Sequence, residues 1–171
     1  MAQQTAKDVL VRYLQDAEAA ERNFEDALAT FAKTGEQSEV KAAMSQASAK
    51  AKTQHERLEA RLRALGGEPS TAKSVLAHIL AFGPTAAQIG HEPAEKNTQH
   101  VMVVIAAAAA EMAMYESLAS VAAAAGDRQT EQLARQLQEE EREDYDIAWN
   151  LLKPSAHASF ETVVKRHASG A

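Results

Sequence analysis

Apolar residues recur at alternating steps of three and four over four long stretches, the spacing that lines one face of an α-helix. The first stretch reads Leu10, Leu14, Ala17, Phe24, Leu28, Phe31, broken at its middle by Glu21. The second reads Met44, Ser48, Ala51, Leu58, Leu62, Leu65, broken by His55. The third is Val101, Val104, Ala108, Tyr115, Leu118, Ala122, broken by Glu111. The fourth is Leu133, Leu137, Ile147, Leu151, broken by Glu140 and Asp144. No run of alternating β-branched or aromatic residues marks a strand.

Breakers set the ends. The first helix is expected over about residues 5–33, ahead of Gly35. The second begins at Ser38, read as its N-cap, and stops at Gly66 and Gly67 with Pro69 beyond. A shorter helix is expected over 70–82, closed by Gly83 and Pro84. The third runs from about Asn97 to Gly126. The fourth is capped by Asp127 and expected to stop before Pro154. Residues 1–153 then form one bundle, and 154–171 a tail that frays or forms a short helix around 160–164. Short links make hairpins of the first and second helices and of the third and fourth. The link 66–96 is long enough to cross the whole bundle. The expected fold class is all-α: a ferritin-like antiparallel four-helix bundle with one long crossover connection carrying a short helix.

Composition narrows the function classes. A chain of 171 residues suits one domain, and hydrophobic residues make up 46% of it but aromatics only 5%. Much of the apolar share is alanine, the best helix former. The net charge of −6 argues against a nucleic-acid surface. Cysteine is absent, which removes disulfides and thiolate metal sites. The opening residues lack the apolar core of a signal peptide, and the apolar stretch 101–110 is too short to span a bilayer. A cytoplasmic protein without membrane or nucleic-acid partners is expected. The alanine run 106–110 lets the third helix approach a neighbour closely, in this bundle or in a second copy; a homodimer is expected. No nucleophile motif or phosphate loop is present, and no reaction is assigned.

The residues that break the four seams carry the chemistry. Glu21, Glu111 and Glu140 each lie near the middle of their helix, and His55 within about a turn of its own. Midpoints meet in an antiparallel bundle, so Glu21, His55, Glu111, Glu140 and Asp144 would share one layer. Buried carboxylates must be paired, bind a metal or neutralise. Carboxylate oxygen with imidazole nitrogen suits iron, manganese or zinc. Bundles with two metals use one Glu on each of two helices and Glu-x-x-His on the other two. Here the turn before His55 reads Lys50-Ala51-Lys52, with no such Glu. Two readings follow. In one, the layer binds iron or manganese, as one ion or two. In the other, Lys50 or Lys52 neutralises the acids in a metal-free ion-pair network, and the protein is structural. Tyr115 reads as a core aromatic whose hydroxyl bonds a carboxylate. Trp149 is expected at the bundle end or under the tail. His78, His91, His100, His157 and His167 read as surface residues.

Four segments carry a family resemblance: LVRYLQDAEAAE from Leu10, HERLEARLRALG from His55, EMAMYESL from Glu111, and the stretch from Gly126 to Leu152 with its acidic run and Trp149. Over residues 5–152 the chain resembles the ferritin-like bacterial proteins of the YciE/YciF type, associated with stress responses. The resemblance implies a bundle that often dimerises and a metal centre between its helices. Glu21, Glu111, Glu140 and Asp144 fall at or near acidic positions of that pattern. On the second helix the family's His falls on Gln54, with His55 one place along, and its acid falls on Lys50 or Lys52.

Overall fold

The computed structural model describes residues 5–69 and 92–169. They form α1 (Ala6–Thr34), α2 (Ser38–Ala64), a 3-10 turn (Pro93–Glu95) leading into α3 (Lys96–Ala124), and α4 (Arg128–Ser169), with no strand among them. The short helix expected over 70–82, together with His78 and His91, lies outside the described residues.

Side-chain pairings give the directions. Gly67 at the end of α2 sits against Val11 near the start of α1, while His55 midway along α2 reaches Glu25. Arg135 and Gln138 on α4 meet Glu116 and the Met112 carbonyl on α3. Both hairpins are therefore antiparallel. Phe31 packs on His100 and Glu21 on Tyr115, so α3 also runs opposite to α1 and parallel to α2. The long link then joins opposite ends of a bundle whose first three helices are about 40 Å long at 1.5 Å per residue. This is the ferritin-like order that the connection lengths implied.

The helix ends follow from local chemistry. Thr5 and Asp8 form a reciprocal capping box at the start of α1. Gly66 and Gly126 take φ of 75° and 74°, the left-handed conformation that ends α2 and α3. Asp127 caps α4 through the Thr130 amide at 3.1 Å and also holds Arg61 of α2. Ser38 does not cap α2, as the sequence suggested. Gln37 takes the N-cap position without a side-chain cap bond, and Asn97 of α3 holds the turn just ahead of it, its Oδ1 accepting from the Glu36 and Gln37 amides at 2.8 and 3.3 Å.

Three other expectations change. The fourth helix does not stop before Pro154; α4 runs through it to Ser169. An interior proline destabilises a helix by about 3 kcal/mol. Here the segment beyond it is docked. Ser155 and Ser159 are buried, Ser159 donates to the Ala94 carbonyl at 2.8 Å, and Gln37 donates to the Ser155 carbonyl at 3.2 Å. His100 is not a surface residue. It is buried and stacked on Phe31 at a centroid distance of 4.1 Å, and burial pushes its pKa down. Trp149 is neither capped by the bundle end nor covered; it is more than half exposed and stacks on Tyr145. By length and composition the segment Pro93–Ala124 could cross a bilayer, a longer apolar stretch than 101–110. In this fold α3 lies between α1 and α4 and supplies Val101, Val104, Leu118 and Ala122 to the core.

That core is in two parts. Leu10, Leu14, Leu58, Leu62, Tyr115, Leu118 and Leu137 fill one half of the bundle. Phe24, Leu28, Phe31, Met44, Val101, Val104 and Ala148 fill the other. A polar layer separates them.

Candidate metal centre

Three helices each send one glutamate into that layer: Glu21 from α1, Glu111 from α3 and Glu141 from α4. Each is at most 1% exposed, and one carboxyl oxygen from each lies within 4.8 Å of the others. Apolar seams above and below hold the backbones in place, so the three carboxyls cannot withdraw to solvent without unpacking the bundle. Tyr115, one turn after Glu111, donates its hydroxyl to Glu21 Oε1. Gln54 on α2 donates to Glu141 Oε1 at 2.9 Å and to Glu140 Oε2 at 3.2 Å. The remaining oxygens, Glu21 Oε2, Glu141 Oε2 and both of Glu111, have no donor among the described residues.

Electrostatics follow from that geometry. Burial, reinforced by the Glu141 charge, raises the pKa of Glu21 well above the usual carboxylate range. Burial and then the Glu21 charge do the same to Glu111. Glu141 is pushed up to about 7, again by burial first and the nearby Asp144 charge second. Burial also raises Tyr115. Without a cation the cluster therefore keeps protons near neutrality, which avoids stacking three charges in a dry layer.

Of the five residues read from the sequence, two meet here: Glu21 and Glu111. Glu140 lies one position outside the inward face. It pairs with Arg57 at 2.7 Å, both side chains about a third exposed. Asp144 sits at the rim, paired with the Lys50 ammonium at 3.1 Å, and burial still raises its pKa against that pairing. His55 turns toward α1, where its Nδ1 is 3.0 Å from Glu25. Lys52 is exposed. The residues missed are Glu141 and Glu18, the latter buried with Oε1 taking a hydrogen bond from Arg22 at 3.1 Å; Gln54 had entered only through the family resemblance, as the position of the family's His.

The missed positions had signals. The inward face of α4 is Thr130, Ala134, Leu137, Glu141, Ala148, Ser155 and Ser159. That seam is legible once alanine and serine count as core residues, but Ile147, which is half exposed, pulled the phase one place off. On α2 both Ala51–Gln54–Leu58 and Ala51–His55–Leu58 obey the step rule, and packing selected the first.

Residues 5–153 match the family model described as a domain of unknown function, DUF892. This chain belongs to the DUF892 family. A solved protein from Xanthomonas campestris is 25% identical, with 92% of this chain and 98% of that one covered and a TM-score of 0.78. The Escherichia coli stress protein YciF is 20% identical over 91% of this chain and 99% of its own, TM-score 0.80. A bacterioferritin of Desulfovibrio desulfuricans, described with a diiron site, is 19% identical over 94% and 87%, TM-score 0.66. No curated protein matches the sequence. The resemblance to YciF-type ferritin-like proteins holds, in family and in fold.

Set against the general two-metal pattern, this DUF892 member keeps a glutamate on α1 and on α3. On α4 it carries Glu141-x-x-Asp144, an acid where that pattern has imidazole. On α2 the equivalent turn is Ala51-x-x-Gln54, both buried and neither anionic. The residues present fit one small oxygen-binding cation: three anionic donors with oxygens lacking partners, and the Gln54 amide beside them.

Proposed function

We propose that this protein binds a non-haem metal ion, iron or manganese, at Glu21, Glu111 and Glu141, in a stress-related role in the cytoplasm. The observation that carries the reading is the set of buried carboxylate oxygens, from three helices, that have no donor among the described residues, with one oxygen of each carboxyl within 4.8 Å of the others. An all-oxygen donor set favours hard or borderline cations. Iron or manganese would supply one-electron redox capacity there. The chain's own residues would orient the donors: Tyr115 holds Glu21, Gln54 holds Glu141, and the flanking leucine and phenylalanine layers exclude water. Binding requires the ionised carboxyls, so metal uptake would release protons and strengthen with pH.

The alternative is a metal-free structural protein. It draws on the ion pairs Lys50–Asp144 and Arg57–Glu140 between α2 and α4. Metal analysis of protein purified without chelator, followed by melting with added Fe²⁺ or Mn²⁺ at pH 8, decides between them. Saturation at 100 times the dissociation constant stabilises by about 2.7 kcal/mol, a rise in Tm of about 5–10 °C for a chain of this size. No bound ion and no shift would leave the structural reading. We also propose a homodimer. Met102 on α3 and Phe160 on α4, both more than half exposed, flank one pocket with Val163 and Gln99.

A further inference from the structure

Beside the carboxylate layer, the Lys50 ammonium occupies a small oxygen cage. Its Nζ donates to the Glu140 carbonyl at 2.7 Å and to Asp144 Oδ1 at 3.1 Å, and stands 3.5 Å from Glu143 Oε2. All three oxygens come from α4, while Lys50 reaches across from α2, one turn before Gln54. Its charge lowers the pKa of Glu141, and the Asp144 charge acts on Glu21, Glu111 and Glu141. The ammonium thus adjoins the layer without entering it. On its other side a groove of about 320 Å³ opens between α2 and α4, lined by Met44, Ala47, Val104, Ile147, Ala148 and Leu151. A positive charge in oxygen contacts, next to buried carboxyls that have no donor, is the environment of a bound cation.

We propose that Lys50 is a tethered cation standing where a second metal ion would sit, and that it limits the centre to one ion per chain. The inference rests on the metal-binding reading above. It adds a positive charge to this chain's departures from a two-metal pattern at Ala51, Gln54 and Asp144: a divalent ion beside Glu141 and Asp144 would have to displace or face the ammonium. A carboxylate at position 50 would reverse this.

The test counts Mn²⁺ ions by electron paramagnetic resonance and calorimetric titration on full-length protein at pH 8, with folding checked by circular dichroism. Three proteins are compared: wild type, Lys50→Glu and Lys50→Met. Wild type is expected to bind one ion per chain and Lys50→Glu two. Lys50→Met, which removes the repulsion without adding a ligand, is expected to bind its ion at least about tenfold more tightly; it decides the matter if Lys50→Glu does not fold. Two ions in wild type would overturn the role of Lys50. So would wild-type number and affinity in every folded variant. If wild type binds none and Lys50→Glu binds Mn²⁺, the native metal reading fails while the blocking role of Lys50 stands. If wild type binds one and the folded variants match it, the reverse holds.

Discussion

Replacing Glu141 by glutamine in the metal-free protein isolates the cost of the carboxylate layer. The amide keeps the shape, and its oxygen still accepts from Gln54. The wild-type carboxyl rises from an ordinary 4.5 to about 7 in the folded state. At about 1.4 kcal/mol per pH unit, that rise corresponds to about 3 kcal/mol. The sign follows from proton linkage. Between pH 4.5 and 7 the folded state holds more protons than the unfolded chain, so unfolding free energy falls as pH rises through this window. Below it the side chain is neutral in both states and the effect vanishes; above it the full penalty is present. Glu141→Gln should therefore match wild type near pH 4.5 and be more stable at pH 8, by up to about 3 kcal/mol, or about 6–12 °C in Tm. Urea unfolding followed by circular dichroism, with chelator present, measures both ends. Glu140→Gln is the control: it loses a partly exposed pair with Arg57 and should change stability by about 1 kcal/mol or less. A Glu141→Gln protein less stable than wild type at both pH values would refute the account of the layer.

Two further outcomes are expected. Tyr115→Phe removes the donor to Glu21 and should destabilise the metal-free protein by about 1–3 kcal/mol at pH 8; an unchanged urea midpoint would contradict the buried hydrogen bond. Light scattering at micromolar concentration should give about twice the 18.4 kDa chain mass. Phe160→Asp should return it to the monomer value, and a wild-type monomer would rule the dimer out.

Much of the architecture was legible in the sequence. Four seams at steps of three and four named four helices, and the contrast between short and long links dictated which of them are antiparallel. Both depend on local chemistry: helix periodicity, glycine at φ above zero, and the reach of a short connection. Glu21, Glu111 and Tyr115 were legible too, because each sits in a seam with large apolar neighbours on both sides. Only tertiary structure chose Glu141 over Glu140 and Gln54 over His55. Adjacent helical residues point about 100° apart, and a seam alternating threes and fours accepts either one; the rotation that decides is set by the partner helix. The same holds at Pro154, where the local penalty is outweighed by the buried contacts of Ser155 and Ser159. It holds again at Lys50, whose neighbours on α4 lie some ninety residues away in the chain. Which charges meet in the layer is a property of helix packing, and the amino-acid order states it only as a choice between two phases.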